Sequence, residues 1–264
     1  MSKEPAQRGR LYLVPTPLDF GTDTAPTNID QWLPSATLAT ASRLQYWITE
    51  NAKSTRAFLK RVDALLPLQH TLQAHQLAEL PRAAHKKGDH VPDSVIDQAA
   101  RALLAPALEG HDVGLVSEAG MPAIADPGSS VVRAAHAMGL AVVPLSGPVS
   151  LMLALAGSGL NGQNFAFEGY VPQDPNERTR RLRELEHHAL KSGQTQIVIE
   201  TPYRNATLLE ACLKTLQPHT RLAVAVGLAL PQQNIRSGLV SGWKRHGWAL
   251  QLPLDLPAVF LFGR

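Results

Sequence analysis

The sequence has one cysteine, few aromatics and no long apolar run. Cys212 is the single cysteine among 264 residues. One thiol excludes an internal disulfide and any cysteine-cluster metal site, and Cys212 reads as a small buried apolar side chain. Aromatics make up only 5%, which favours an α/β protein over an all-β sandwich or barrel. No stretch approaches the ~20 apolar residues of a membrane span, and no basic segment leading into a long apolar one resembles a signal peptide. These absences predict a cytoplasmic protein without membrane contact. Neither GxGxxG nor GxxxxGK[ST] occurs, so dinucleotide and P-loop sites are not indicated. HExxH is missing too, the ten histidines are scattered, and no metal is expected. His187 and His188 fall in a charged stretch and read as a solvated face. Net charge is only +3; that does not demand nucleic acid, but permits it where basic residues gather on one face.

What is present is a globular composition, 44% hydrophobic and 18% charged, long enough for one large domain or two small ones. Leu11–Val14 (LYLV) is an apolar run stopped by Pro15, Thr16 and Pro17, a buried strand entering a stiff loop. Residues 37–41 (TLATA) fit a strand or a helix start. Residues 46–61 begin strand-like and become helical, and 71–77 are ambiguous. Residues 81–92 form a polar, basic loop, and 93–108 a helix capped by Asp93 or Ser94. Val113–Val116 is a strand; 129–138 is a helix with Gly139 at its stop; 140–145 is a strand. Ser146, Gly147 and Pro148 turn into an apolar helix over 149–156. This alternation argues for parallel strands with crossover helices. The pattern changes after 157–162: strands at 165–171, 196–200, 222–230 and 258–262, helices at 176–191 and 203–216. The expected organisation is two α/β lobes, 1–145 and 146–264.

Ligands of open α/β sheets sit at the carboxyl ends of strands. Three loops there have unusual composition: Pro15-Thr16-Pro17, the stretch 117–128, and 146–150. Glycine and alanine admit a ligand to the backbone, and N–H groups at a helix start hold anions. Turn-making is the alternative for any one loop; three in series favour a ligand cleft. Glu118 and Asp126 form a candidate carboxylate pair, with an Asx-type turn at Asp126 as the alternative.

The run SEAGMPAIADPG, followed by VVPLSGPVSLMLALAGSGL and FAFEGYVP, resembles the tetrapyrrole methylase superfamily of S-adenosylmethionine-dependent methyltransferases. Within it, the sequence is most similar to the branch that 2′-O-methylates ribose in small-subunit ribosomal RNA, which reads SDAGTPLINDPG, PLPGP and FEGFLP. LYLVPTPL and IETPYRN match further segments of that branch. The resemblance implies two α/β lobes with a cofactor cleft between them, a homodimer, and S-adenosylmethionine folded against the central loop, where bulky side chains would block it. Matching positions assign cofactor contact to Pro17, Ser117, Ala119, Gly120, Met121, Ile124, Val149, Ser150, Glu200 and Ala229.

Two segments depart from the branch. Leu18-Asp19-Phe20 replaces Ile-Gly-Asn, and the Glu-Asp-Thr-Arg motif becomes a longer stretch from Glu50 to Arg56. Both lie near the expected substrate mouth. Candidate catalytic residues are Glu50 as base, with Arg56 or Arg204 to orient phosphate or stabilise charge; surface ion pairs are the alternative for each. Tyr203 stacks on a base or packs under its helix. Arg178, Arg180, Arg181 and Arg183, with Arg82, Lys86 and Lys87, offer RNA phosphate contacts, although Glu177, Glu184 and Glu186 interleave as i,i+4 partners. Three readings follow: a methylase of ribosomal RNA in the small subunit, a small-molecule (tetrapyrrole-like) methylase, or a non-catalytic cofactor-binding regulatory module.

Overall fold

The computed structural model describes residues 8–19, 28–81, 89–90 and 93–264. The chain divides into two compact units, 1–149 and 150–264.

The first unit is built on five strands, β1 (Leu11–Val14), β2 (Tyr46–Thr49), β3 (Gln76–Glu79), β4 (Val113–Val116) and β5 (Val142–Pro144), in the order β3-β2-β4-β1-β5. Every pairing is parallel. β1 and β4 are buried along their whole length, as continuous apolar runs covered on both faces must be. Side chains alternate between two clusters. On one face Leu11, Leu13 and Leu115 meet Ala100, Ala107, Val131 and Ala135, from helices α3 (Ser94–Leu103) and α5 (Ser129–Ala137) and the short helix α4 (Ala105–Leu108) that follows α3. On the other, Tyr12, Val14 and Trp47 meet Leu38, Ala41, Phe58 and Leu59, from α1 (Ser35–Arg43) and α2 (Ala52–Leu65). Gly114 lets Trp47 lie on the strand; a Cβ there would stand 2.7 Å from the indole.

Residues 37–41 resolve as helix α1, and 71–77 as a 3-10 turn (Leu72–Ala74) leading into β3. Asp93 caps α3 by accepting from the amides of Val95 and Ile96. The single helix expected over 93–108 breaks at Leu104, because Pro106 cannot continue the hydrogen-bond ladder. The basic loop's Arg82, Lys86 and Lys87 lie outside the described residues.

The second unit contains β6 (Phe165–Tyr170), β7 (Thr195–Glu200), β8 (Arg221–Val226), β9 (Asn234–Leu239) and β10 (Ala258–Gly263), in the order β6-β7-β10-β8-β9. β6 pairs parallel with β7; the other pairs are antiparallel. Val198, Val224, Phe260 and Phe262 pack with Leu182 and Leu185 of α7 (Pro175–Ser192), Leu208 and Leu209 of α8 (Asn205–Thr215) and Trp243 of α9 (Val240–His246). Helix α6 (Ser150–Ser158) packs against β8, β9 and β10. It takes in Gly157, because a Cβ there would stand 2.5 Å from Ile235. The strand expected over 222–230 stops at Val226, where Gly227 and Ala229 adopt positive φ. Neither β9 nor α9 was expected from the sequence.

Candidate active site

All five parallel strands of the first unit end at one edge, and the three loops singled out in the sequence leave from it. They meet there. Thr16 and Gly120 exchange backbone hydrogen bonds of 2.9 and 3.1 Å, and the Thr16 hydroxyl donates to the Ser117 carbonyl at 3.3 Å. A Cβ on Gly147 would stand 2.3 Å from Pro15 Cγ. Gly120, at φ +77°, faces Leu18 Cδ2 and the Pro148 carbonyl, 3.0 and 3.5 Å from where its Cβ would be. The Thr37 hydroxyl ties the third loop to α1 through the Ser146 carbonyl at 2.8 Å.

The central loop is backbone-strained. Ala123 and Ala125 sit at φ 64° and 63° and Gly128 at φ 139°. Left-handed backbone costs an alanine roughly 1–2 kcal/mol and persists where surrounding contacts over-determine it. One such contact was not anticipated from the sequence. The buried Asp89 Oδ2 accepts from the Gly128 amide (2.9 Å), the Ser130 amide (2.9 Å) and the Ser130 hydroxyl (2.7 Å). It closes the loop and caps α5 at once. Burial alone would raise its pKa. The Ser130 hydroxyl, with the amides of Ser130, Gly128 and Ser129, outweighs that and holds the carboxyl below its ordinary value. Because Gly128 donates to Asp89, its amide does not serve the Asx turn expected at Asp126.

Asp126 instead belongs to a carboxylate group. Burial, then the charges of Glu50 and Glu118, push its pKa up to about 7 against an opposing hydrogen bond from Ser117. Glu50 Oε2 accepts from the Glu118 amide at 3.0 Å, and Asn51 donates to Glu118 Oε1 at 3.1 Å. A cavity of about 340 Å³ opens beside these loops, lined by Thr16, Pro17, Lys53, Arg61, Ser117 and Glu118 among others. Asp19 lines it too and pairs with Arg61.

Pro17, Ser117, Ala119 and Gly120 therefore share one edge with Glu50. Met121 is partly buried against the apolar cluster beneath, while Ile124 is 43% exposed. Val149 ends the first unit, and Arg56 is exposed on α2. Ser150, Glu200, Arg204 and Ala229 belong to the second unit. There the buried Glu200 accepts from the Thr201 amide at 2.8 Å and pairs with Arg204 at 3.0 Å, an ion pair largely shielded from solvent. Ala229, at φ 67°, is fixed by a 2.9 Å bond from its amide to the Gln233 side chain. Tyr203 is 83% exposed, not packed under its helix. On α7, Arg180 and Arg181 pair with Glu184, Arg181 also with Glu168, and Arg178 is buried, so much of that helix's charge is matched internally. Among the described residues no three His, Cys, Asp or Glu side chains are placed to hold a metal ion, and no helix is long and apolar enough to cross a membrane.

Residues 36–242 match the family of Tetrapyrrole (Corrin/Porphyrin) Methylases. The chain belongs to this family. The resemblance seen in SEAGMPAIADPG is thereby borne out. Among curated relatives, the Ribosomal RNA small subunit methyltransferase I of Xylella fastidiosa is 40% identical over 128 residues, 48% of this chain and 45% of that protein. The protein of the same name from Halalkalibacterium halodurans is 30% identical over 209 residues, 79% of this chain and 61% of that one. The chain thus spans about half the length of the first of these relatives. The solved uroporphyrin-III-C-methyltransferase of Thermus thermophilus shares the fold, with TM-score 0.51 and 21% identity over 97% of this chain and 94% of that one. A cobalamin synthesis related protein from Corynebacterium diphtheriae gives TM-score 0.54 at 15% identity, over 98% and 99%.

Proposed function

We propose that this chain is an S-adenosylmethionine-dependent methyltransferase that 2′-O-methylates ribose in small-subunit ribosomal RNA. The observation that carries the methyl-donor reading is the three-loop junction. Gly147 has no room for a side chain, Gly120 sits at φ +77°, and alanines occupy the left-handed positions between them. Such a floor suits a ligand lying against the backbone. The names of the curated relatives support the RNA acceptor.

Bound S-adenosylmethionine supplies an electrophilic methyl group on a sulfonium. Pro17, Ser117, Ala119, Gly120, Met121, Ile124 and Val149 are the proposed donor contacts in the first unit. Ser150, Glu200 and Ala229 are proposed on the family resemblance alone. Glu50 is the proposed proton acceptor for the ribose 2′-hydroxyl; Asp126 beside it, with a pKa of about 7, keeps a proton within the same group, as acid–base work near neutrality requires. Arg56, exposed on α2, orients phosphate, and Arg204 holds Glu200 in place. Positioning of acceptor against donor supplies much of the rate, ~7–11 kcal/mol in well-oriented cases. The resemblance supports a homodimer acting in the cytoplasm on the small ribosomal subunit.

The test is transfer of labelled methyl to small subunits from a strain lacking the ribose methylation. Label on ribose, lost in Glu50→Gln, supports the assignment. Donor binding without label on RNA overturns the acceptor and moves the reading to a small molecule or a regulatory role. Absence of donor binding overturns the proposal whole.

A further inference from the structure

The amino ends of β1, β2 and β4, at the opposite edge of the same sheet, carry a second cavity of about 730 Å³. Arg8, Arg10 and Arg43 line it, with Asp112 as the one carboxylate among the described residues. That carboxylate is fully engaged: Oδ2 takes the Arg43 guanidinium at 2.7 Å, and Oδ1 the Arg10 amide at 2.9 Å. Among the described lining residues two positive charges are left in excess, with the imidazoles of His70 and His111 beside them. The Arg8 and Arg43 guanidinium groups are held in place, while Arg10, at an exposed position, makes one longer contact. Arg8 donates to the Met138 carbonyl at 2.7 Å, Arg43 lies 4.8 Å over the Tyr12 ring, and Arg10 reaches the Tyr12 hydroxyl at 3.5 Å. Tyr46 and His111 stack, with centroids 4.7 Å apart, and His111 is exposed.

Local structure accounts for part of this: Arg43 answers Asp112 and Tyr12, and Arg8 closes the end of α5 at Met138. It does not account for the surplus, since like charges gathered in one cavity repel and Arg10 has no carboxylate partner in the lining described. Pre-positioned guanidinium forks match phosphate oxygens, and an open aromatic stack accepts another planar ring. We propose that this cavity binds a nucleotide, its phosphate on Arg8 and Arg10 and its base on the outer face of His111. The four-residue strands put the two edges of the sheet only about 13 Å apart, so the nucleotide is either part of an RNA strand running past the first unit or a free mononucleotide. The inference does not depend on which group the protein methylates.

The test uses the full chain, a fluorescent single-stranded RNA oligonucleotide followed by anisotropy, and adenosine 5′-monophosphate as competitor. Arg10→Gln, at an exposed position, is expected to weaken oligonucleotide binding about tenfold, the value of one charged hydrogen bond. It should also reduce the slope of log affinity against log salt by about 0.7, one phosphate contact on a single strand. Arg10→Lys should restore the slope, and His111→Ala should weaken binding without changing it. Competition by the mononucleotide would identify a free nucleotide as the ligand; binding of the oligonucleotide without competition would assign an RNA strand. Affinity and slope unchanged in both Arg10→Gln and His111→Ala, or no binding of either probe, would overturn the proposal. Donor binding measured on the same samples keeps that outcome separate from failure of the proposed methyl transfer.

Discussion

Replacing Asp89 by asparagine keeps the shape of the side chain and removes its charge. In the native chain one carboxylate oxygen accepts three short hydrogen bonds from the end of the central loop and the start of α5. Asparagine can accept from the same donors. It loses the difference between charged and neutral bonds, ~1 kcal/mol or more, and the interaction with the helix N-terminus, ~0.3–2 kcal/mol. These overlap, so the expected loss is about 2 kcal/mol. For a unit this size that lowers Tm by about 4–8 °C. Alanine does worse, because it leaves two amides and a hydroxyl unpaired at ~1–3 kcal/mol each. The pH dependence has a definite sign. The folded pKa is depressed, so the stabilisation is complete above the unfolded value of about 3.9 and disappears as pH falls through the folded value. Thermal unfolding of wild type, Asp89→Asn and Asp89→Ala, followed by circular dichroism, should show the full gap at neutral pH and a shrinking one below about pH 4. Wild-type and asparagine curves that coincide at neutral pH, or a gap indifferent to acid, would refute the reasoning.

Gly147→Ala places a Cβ against the stiff ring of Pro15; it should cost about 1–3 kcal/mol and weaken donor binding, both readable by calorimetry. Asp126→Asn should stabilise: the folded carboxyl, at about 7, holds a proton the unfolded one has released, so native stability falls as pH rises from about 4 to 7. The variant's advantage is therefore about 1–3 kcal/mol at pH 8 and absent below pH 4 by urea titration. Burial pushes the Cys212 thiol up to about 12, with Glu186 adding to the shift and Arg178 opposing it; a thiol reagent at pH 8 should leave the native protein unmodified and titrate one group after unfolding.

The strands that the sequence exposed most clearly are those buried on both faces. LYLV and VGLV are unbroken apolar runs because helices cover both sides of β1 and β4. TLATA stayed ambiguous, since its small and β-branched residues suit either period, and packing of Leu38 and Ala41 decided for a helix. β9 (NIRSGL) was illegible: as an edge strand of intermediate burial it has no apolar run and no clean alternation. The meeting of the three loops was legible in their composition. The left-handed alanines were not, because nothing about alanine announces φ near 65°. Asp89 was invisible for a different reason: its partners lie about 40 residues on, a pairing only the fold creates. At Asp126 the sequence permits a turn or a carboxylate pair, and only the fold shows that the turn's donor, the Gly128 amide, goes to Asp89.

The position of β10 has a consequence for how the second unit comes into being. It is the last of the unit's strands in sequence and the middle one in space, inserted between β7 and β8. Until it arrives, β6 with β7 and β8 with β9 are two separate ribbons, each with an open inner edge. A chain emerging from N- to C-terminus therefore holds two unfinished half-sheets at once, and open edges of this kind recruit strands from other chains. Phe260 and Phe262, fully buried when β10 docks, join the halves in one step. Efficient production of the protein thus depends on keeping those two edges from strangers until the keystone is in place.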